Sequence, residues 1–473
     1  MTSFRVRLVT LTVGALLASG PAAVAAGPQG TVASAGSPGS PLTRSNNTPF
    51  TASPLIVGAR WTSARYDPPG NQWGDILPTI WSEDGGTYVL MDDGGVDVPL
   101  PGGLWRQSLA RVTGRPPNLR FQHIGDPTAP QPKTWAQIGS NRDNDDGPLG
   151  PYYSIGFVEA GGVFYATQQR NWNWHANGPF TGLVGIAYST NRGKKWHVVG
   201  KPFPAPLGNL TFVDGGAPGG AYPDGYVYAI GTEREFNASR LLLGRARPGI
   251  RTLTDPADWQ WFAGYQPGLN GSSSPQWTSS LSAATPVLTW NSHITYPDMT
   301  YDAPLHRYLL TFTYSYSSRP QVVWNGGAEL VILEAPSPSG PFSFVARSSE
   351  FGPSNGYGAG FPSQWISRNG RDLWLKWAAN FAGCKKGLDC SGKYGFNVAS
   401  IHLTVTARSK VASVGAARAT GARPRAASGV PLHRGALFAL SASLPFLLVF
   451  AIRRGKARAT RRPPRRNASE ITS

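Results

Sequence analysis

Apolar positions along the chain come in short runs that stop at Gly, Asp or Asn, and one phrase returns five times. An aromatic-bearing run leads into a tight turn, and a second apolar run leaves it. The instances are ILPTIWSEDGGTYVLMDDGG, YYSIGFVEAGGVFYATQQRNW, GAYPDGYVYAIGTEREF, DMTYDAPLHRYLLTFTYSY and FPSQWISRNGRDLWLKWAANF. Their turns fall at Gly85, Gly161, Gly225, Ala303 and Gly370, spaced 76, 64, 78 and 67 residues apart. Runs of about four to eight residues rich in β-branched and aromatic side chains, bounded by turn formers, are strands and are too short for helices. Further strand-like segments follow the hairpins in turn: LWRQSLARV, GLVGIAYST, SRLLLGRA, AELVILEAP and FNVASIHLTV. Each unit therefore amounts to a four-stranded sheet, and five in a row predict an all-β, five-bladed β-propeller over residues 51–406. An elongated pair of β-sandwiches is the alternative arrangement of the same strands.

The 57 Gly and 42 Pro among 473 residues supply the turns that so many short strands need. The formal net charge of +18 suggests a nucleic-acid partner until it is located along the chain. Residues 407–473 hold fourteen Lys and Arg against one Glu, and residues 1–45 hold three Arg and no acid, which leaves 27 basic and 25 acidic side chains between them. The part that folds is nearly neutral, so no nucleic acid is expected.

Residues 1–26, with Arg5 and Arg7 ahead of an apolar run and small residues at Val24 to Ala26, predict a signal peptide. Residues 27–50, rich in Gly, Ser, Pro and Ala, predict a disordered lead-in, and residues 407–434 an Ala/Arg/Gly-rich stalk. Gly435 to Ile452 offers 18 residues without a charge, enough for one transmembrane helix. Arg453, Arg454, Lys456 and Arg458 follow at once, so residues 453–473 form a basic cytoplasmic tail and the large domain faces out. The expectation is a monomeric, single-pass cell-membrane protein with an extracellular propeller. In such an exported chain Cys384 and Cys390, in CKKGLDC, predict a disulfide that closes a small loop.

A propeller gathers its inner strands around one channel, so polar residues at the strand ends of different blades become neighbours. Counting from the turn residues, Asp93, Gln169, Glu233 and Asn380 occupy comparable strand ends, and Asp75 begins the first hairpin whose exit carries Asp92 and Asp93. A hairpin makes its two ends adjacent, so Asp75 and Asp93 share one rim. Two close carboxylates are what glycosidic-bond cleavage requires, one as acid and one as base or nucleophile. Glu233 is expected to assist them. Asp92, Gln169, Arg170, Asp298, Tyr357 and Asn380 are candidate substrate contacts, together with Trp172, Trp174 and His175 in RNWNWHANG, where aromatic rings alternate with amides as in a sugar groove. Turn chemistry is the competing role for Asp75 and Asp93 and the expected one for Asp84, Asp92, Asp97 and Asp224. Trp81, Trp374 and Trp377 are expected in the core.

Other chemistry finds no support. SNRDNDDG, at Ser140 to Gly147, has the composition of a calcium loop, but its Gly is one place late and no Glu follows where one is needed. No metal or other cofactor is expected. The seven His show no paired spacing, and neither a GxSxG elbow nor a phosphate-binding glycine loop occurs.

STNRGKKW, Ser189 to Trp196, has the form of an Asp-box with Asn191 in place of the usual aspartate, a turn found on sialidase-like propeller blades. Through GDILPTIWSEDGGTYVLMDDGG, GYVYAIGTE, MTYDAPLHRYLLTFTY, EAPSPSGPFSFV and GYGAGFPSQWISRNGRDLWLKW the chain resembles a bacterial five-bladed propeller family that includes endo-D-arabinanases acting on cell-wall arabinan. The resemblance spans about Trp61 to Val405 and leaves out the predicted membrane segment. It implies two essential aspartates, one just before the first inner strand and one at the end of its partner. These match Asp75 and, where this chain reads Met91-Asp92-Asp93-Gly94, either Asp92 or Asp93. The function expected is a cell-envelope glycoside hydrolase cleaving a wall polysaccharide, D-arabinan by the resemblance. A propeller that binds envelope glycan or protein without cleaving it is the alternative.

Overall fold

Strands covered on both faces cannot alternate apolar with polar residues, and this explains why Ala328–Ala335 is buried at every position and carries the unbroken apolar run Leu330–Leu333. A computed structural model describes residues 42, 47–63, 66, 72–96, 105–125, 152–170, 183–220, 222, 224–234, 236–267, 273–315, 328–348, 356–379 and 394–406. All belong to the first of two compact units, Met1–Ser409. The predicted signal peptide, stalk, membrane segment and tail lie outside the described residues. So do Trp172, Trp174, His175, Asn380, Cys384, Cys390 and the side chain of Arg170. Among the described residues no helix is long and apolar enough to cross a membrane.

The described residues are nearly all β, with one short helix, α1 (Ile250–Thr254). β1 is Ile56–Trp61. A first sheet contains β2 (Gln72–Asp75), β3 (Thr79–Trp81), β4 (Thr87–Val96), β5 (Trp105–Arg115) and β6 (Asn118–Ile124), and a second contains β7 (Tyr152–Tyr153), β8 (Phe157–Ala160), β9 (Val163–Arg170) and β10 (Leu183–Ser189). Next come β11 (Asn209–Phe212), β12 (Val227–Thr232), β13 (Ala238–Ala246), β14 (Gln260–Pro267), β15 (Ser273–Thr278), β16 (Leu288–Asp302), β17 (Arg307–Ser315), β18 (Ala328–Ala335) and β19 (Ser343–Ser348). These nine form one sheet. The last sheet joins β20 (Gly356–Gly360), β21 (Asp372–Ala379) and β22 (Asn397–Val405) to β1, so the chain's first strand completes its last sheet. Every ladder is antiparallel, and each predicted turn lies between the first two long strands of a unit.

The continuous nine-stranded sheet departs from the expected series of four-stranded ones. Its cause is the 15-residue length of β16, which pairs with β13 at Leu288, Thr289 and Ile294, then switches to β17 from Thr295 to Asp302. Just before the switch the register slips at a bulge, two steps along β13 matching five along β16.

Five hydrophobic clusters lie between consecutive strand groups. Because successive side chains point to opposite faces, one strand feeds two clusters. Leu90 meets Phe157 and Phe164 on one side, while Val89 and Met91 meet Phe396 and Val398 on the other. Leu310 joins Ile230 and Leu243, whereas Leu309 joins Leu373 and Leu403. Val158 and Tyr165 pack on Phe212 and Trp259. The last cluster returns to the first strands, so the core is a closed series of interfaces, as in a β-propeller. Near the axis, Asp214 bridges Thr300 in parallel, the Asp214 amide donating to Met299 and the Tyr301 amide to Asp214.

The hairpin tips reuse one device. Asp84, Asp224 and Asn369 each accept the amide two residues on, from Gly86, Tyr226 and Arg371, across Gly85, Gly225 and Gly370 in the left-handed region. Asp84 and Asp224 also accept the hydroxyl four residues on, from Tyr88 and Tyr228. The Asp-box folds likewise: Asn191 accepts the Lys195 amide, the Ser189 hydroxyl accepts the Gly193 amide, and buried Trp196 packs beside Phe157.

At the fourth tip Asp302 is fully buried and accepts only the Leu305 amide, and burial pushes its carboxyl up to about 7. The folded state therefore binds this proton more tightly than the unfolded chain. Its contribution to stability is complete below the ordinary carboxyl range and is lost as pH rises toward 7. Asp302→Asn is expected to flatten that decline and to be more stable than the parent at pH 8 by roughly 4 kcal/mol, as urea titrations at pH 4 and 8 would show.

Candidate functional site

Asp75 ends β2 and lies directly opposite Asp92 in β4. Paired Cα atoms in an antiparallel ladder are about 5 Å apart. Asp93 follows at once, so its Cα is within about 9 Å of that of Asp75. The register slips here: Trp73 faces Gly95 but Asp75 faces Asp92, so two steps along β2 match three along β4. The extra residue is a β-bulge, and Asp93 occupies it with φ 48°. A bulge breaks the alternation of a strand and re-aims one side chain. Asp92 is thereby sent inward, fully buried, with both oxygens at 3.1 and 3.2 Å from the Ser154 amide. Asp93 is half-buried and turns toward the Tyr153 hydroxyl, which donates to it at 3.4 Å.

The Tyr357 hydroxyl donates to Asp75 Oδ2 at 2.8 Å. Tyr357 and Tyr394 are both buried. Burial first, and then the negative charges of Asp75 and Asp93, push both phenols well above their ordinary range. Both rings therefore stay protonated at physiological pH, and both sense the two carboxylates. Strand-end spacing singles out Asp75 and Asp93 in the sequence, and its glycine-rich setting singles out Tyr357, but Tyr153 and Tyr394 carry no signal, because nothing local to them marks which strand ends will meet.

Backbone strain concentrates around this group. Ile76, Leu77, Asp93 and Tyr296 have φ of 62°, 56°, 48° and 44°. Each such residue costs on the order of 1–3 kcal/mol, and a β-branched Ile is especially unfavourable there. Gly358, at φ 60°, packs so closely that a Cβ on it would lie 2.6 Å from the Ile76 carbonyl oxygen. The Tyr296 ring lies 5.7 Å from that of Tyr357.

Four residues beyond Asp75, the inner strands enclose a central cavity lined by Thr79, Trp81, Glu159, Asp214, Asp298 and Lys376, among others. It offers about 30 Å³ to the centres of water-sized spheres, enough for two or three waters at about 10–15 Å³ each and too little for a sugar ring. Asp298 pairs there with the Lys376 ammonium at 3.1 Å. Asp214 accepts the Gly216 and Ser363 amides, yet burial, with a smaller push from Asp298, raises its carboxyl to about 6.

The other predicted residues are dispersed. Glu233 accepts the Ser239 and Arg240 amides at 2.7 and 3.1 Å, so both its oxygens brace the hairpin between β12 and β13. Gln169 is buried in β9, where it pairs with Tyr153, the partner of Asp93. Asp298 faces the cavity and its lysine. Among the described residues no group of three or more His, Cys, Asp or Glu is placed to hold a metal ion. Trp377 is in the core as expected, while Trp81 and Trp374 are half-buried.

No protein-family model matches the chain, and no characterised protein matches it by sequence. Among solved structures, the chain is similar to the GH43_1 enzyme from Xanthomonas citri, at 12% identity and TM-score 0.40 over 72% of this chain and 92% of that one. It is also similar to the α-L-arabinofuranosidase from Podospora anserina, solved with cellotriose, at 10% identity and TM-score 0.37 over 75% and 96%. The catalytic domain of the GH62 α-L-arabinofuranosidase from Coprinopsis cinerea stands at 10% and 0.37 over the same shares. Likeness at this level carries no residue role and no substrate.

Proposed function

We propose that this protein is a five-bladed propeller that hydrolyses glycosidic bonds in a cell-envelope polysaccharide, with Asp75 and Asp93 as the working carboxylates. The nine-stranded sheet counts as two blades, because one hydrophobic cluster lies between its β11–β15 and β16–β19 portions, with Ile230 and Leu243 of the first packed with Leu310 and Val331 of the second. One observation carries the reading: a bulge turns Asp93 out of its strand beside Asp75, where buried phenols face both carboxylates and the backbone is held in strained conformations. Strain of this kind persists only where the surroundings impose it, and it gathers at active sites.

Asp75, which accepts the Tyr357 hydroxyl, acts as base or nucleophile. Asp93 gives the proton to the leaving oxygen. Asp92 anchors the bulge through Ser154 and does not meet substrate. The sequence resemblance favours D-arabinan as substrate, and the predicted leader and membrane segment support a domain outside the cell, anchored by one helix.

The test is to incubate the purified protein with extracted envelope polysaccharides and measure new reducing ends. Release of oligosaccharides, with D-arabinan the best substrate, is the expected result. Retention of a polysaccharide on the immobilised protein with no new reducing ends would identify a binder and overturn the hydrolase.

A further inference from the structure

Lys376 is a lysine in the wrong place for a lysine. Its neighbours Leu375 and Trp377 are buried in the core, and its own side chain is only 3% exposed. An ammonium is costly to remove from water unless it is paired and fully hydrogen-bonded, and an apolar side chain of the same volume would fill this space at no such cost. The partners it finds are specific. Nζ lies 3.1 Å from Asp298 Oδ2 on β16 and donates to the Gly358 carbonyl at 2.9 Å. Asp214 and Glu159 line the same cavity.

Gly358 is the irregular point of β20. Tyr357 faces Ala378 but Gly360 faces Lys376, so three steps along β20 match two along β21. Such a bulge takes a residue out of the ladder and leaves its backbone groups to find other partners. The lysine supplies one. On its other side Gly358 abuts the carbonyl of Ile76, the residue after Asp75. Both halves of the Tyr357 to Asp75 hydrogen bond are thus anchored at a single glycine.

We propose that Lys376 is a positioning residue for the candidate site: its ammonium, clamped between Asp298 and the Gly358 carbonyl, holds the β20 bulge that aims the Tyr357 hydroxyl at Asp75. The inference rests on the reading of Asp75 as a working carboxylate, and it extends that reading to a residue that does not touch substrate. Sequence inspection gives Lys376 no role, since it stands inside an apolar strand, LWLKW.

The experiment is a carbon-detected NMR titration of the aspartate side-chain carboxyls in the full chain, which needs no substrate. Among the described residues, the groups around Asp75 that also carry or can carry charge are Asp92, Asp93, Tyr153, Tyr357 and Tyr394. Tyr357→Phe removes the donor directly and is expected to raise the Asp75 midpoint by about one to two pH units. Lys376→Met should raise it by at least half as much. Deleting the ammonium also deletes a positive charge, so Gly358→Ala, which keeps the charge but drives a Cβ against Ile76, is the second arm and should shift the midpoint the same way. It also serves if Lys376→Met does not fold. Asp302, the last residue of β16, should keep its midpoint in both.

An unmoved Asp75 in Gly358→Ala overturns the proposal, as does an equal shift of Asp302, which would mean a loosened fold. If Tyr357→Phe itself leaves Asp75 unchanged, the hydrogen bond sets nothing and the clamp has no function to serve. Failure to release oligosaccharides would end the hydrolase reading alone, because the titration reports the clamp whether or not catalysis occurs.

Discussion

Asp93→Asn is expected to lower kcat on the cleaved polysaccharide by about 10²–10⁴-fold with little change in KM, the usual contribution of a general acid. Asparagine keeps the size of the side chain and tolerates the left-handed conformation at φ 48°, so the bulge survives and only the transferable proton is lost. Asp92→Asn should behave in the opposite way. Its carboxylate is fully buried on the Ser154 amide, and weakening that charge-assisted bond costs about 1–3 kcal/mol of stability, while folded protein retains most of its kcat. Reducing-end assays beside urea titrations separate the two. Equal kcat for Asp93→Asn and wild type would sink the site assignment, and a dead, stable Asp92→Asn would transfer the role to its neighbour.

Trp61→Ala should produce the largest loss of stability, about 3–5 kcal/mol against a total of some 5–15 for a folded domain. Trp61 ends β1, opposite Ile401 of β22, and is 2% exposed with its ring 6.5 Å from that of Trp377. Two elements from opposite ends of the domain meet at this ring. Emptying it loosens β1, and a detached β1 would leave β22 as a bare edge with unpaired backbone groups. A lowered midpoint in urea, together with proteolytic cleavage near residue 61, is the expected outcome. A midpoint unchanged within error would mean that the last sheet does not depend on its first strand.

The hairpin tips were legible because their chemistry is local. Asp84, Asp224 and Asn369 bond amides two residues away, so Asp-Gly or Asn-Gly after an apolar run announces the turn and the strand that follows. The Asp-box was legible for the same reason. Glu233 shows the limit of this reasoning. Its place at a strand end matches that of Asp93, yet its oxygens close on the hairpin beside it, since counting residues gives position along a strand and not the direction a side chain takes.

By itself, then, the chain determined what depends on near neighbours: β-strands almost everywhere, the turns between them, and an aspartate at each end of the first hairpin. Tertiary structure decided the rest. One such matter is which of Asp92 and Asp93 leaves the core, a choice made by a register slip against β2. Another is which phenols gather there, Tyr153 arriving from β7 of the second sheet and Tyr357 and Tyr394 from β20 and the approach to β22 in the last. A third is that a lysine in an apolar strand finds its counter-charge on β16. Bulges and long-range ion pairs arise when sheets pack against one another, where small differences between large packing energies choose the register, and no short window of residues contains that comparison.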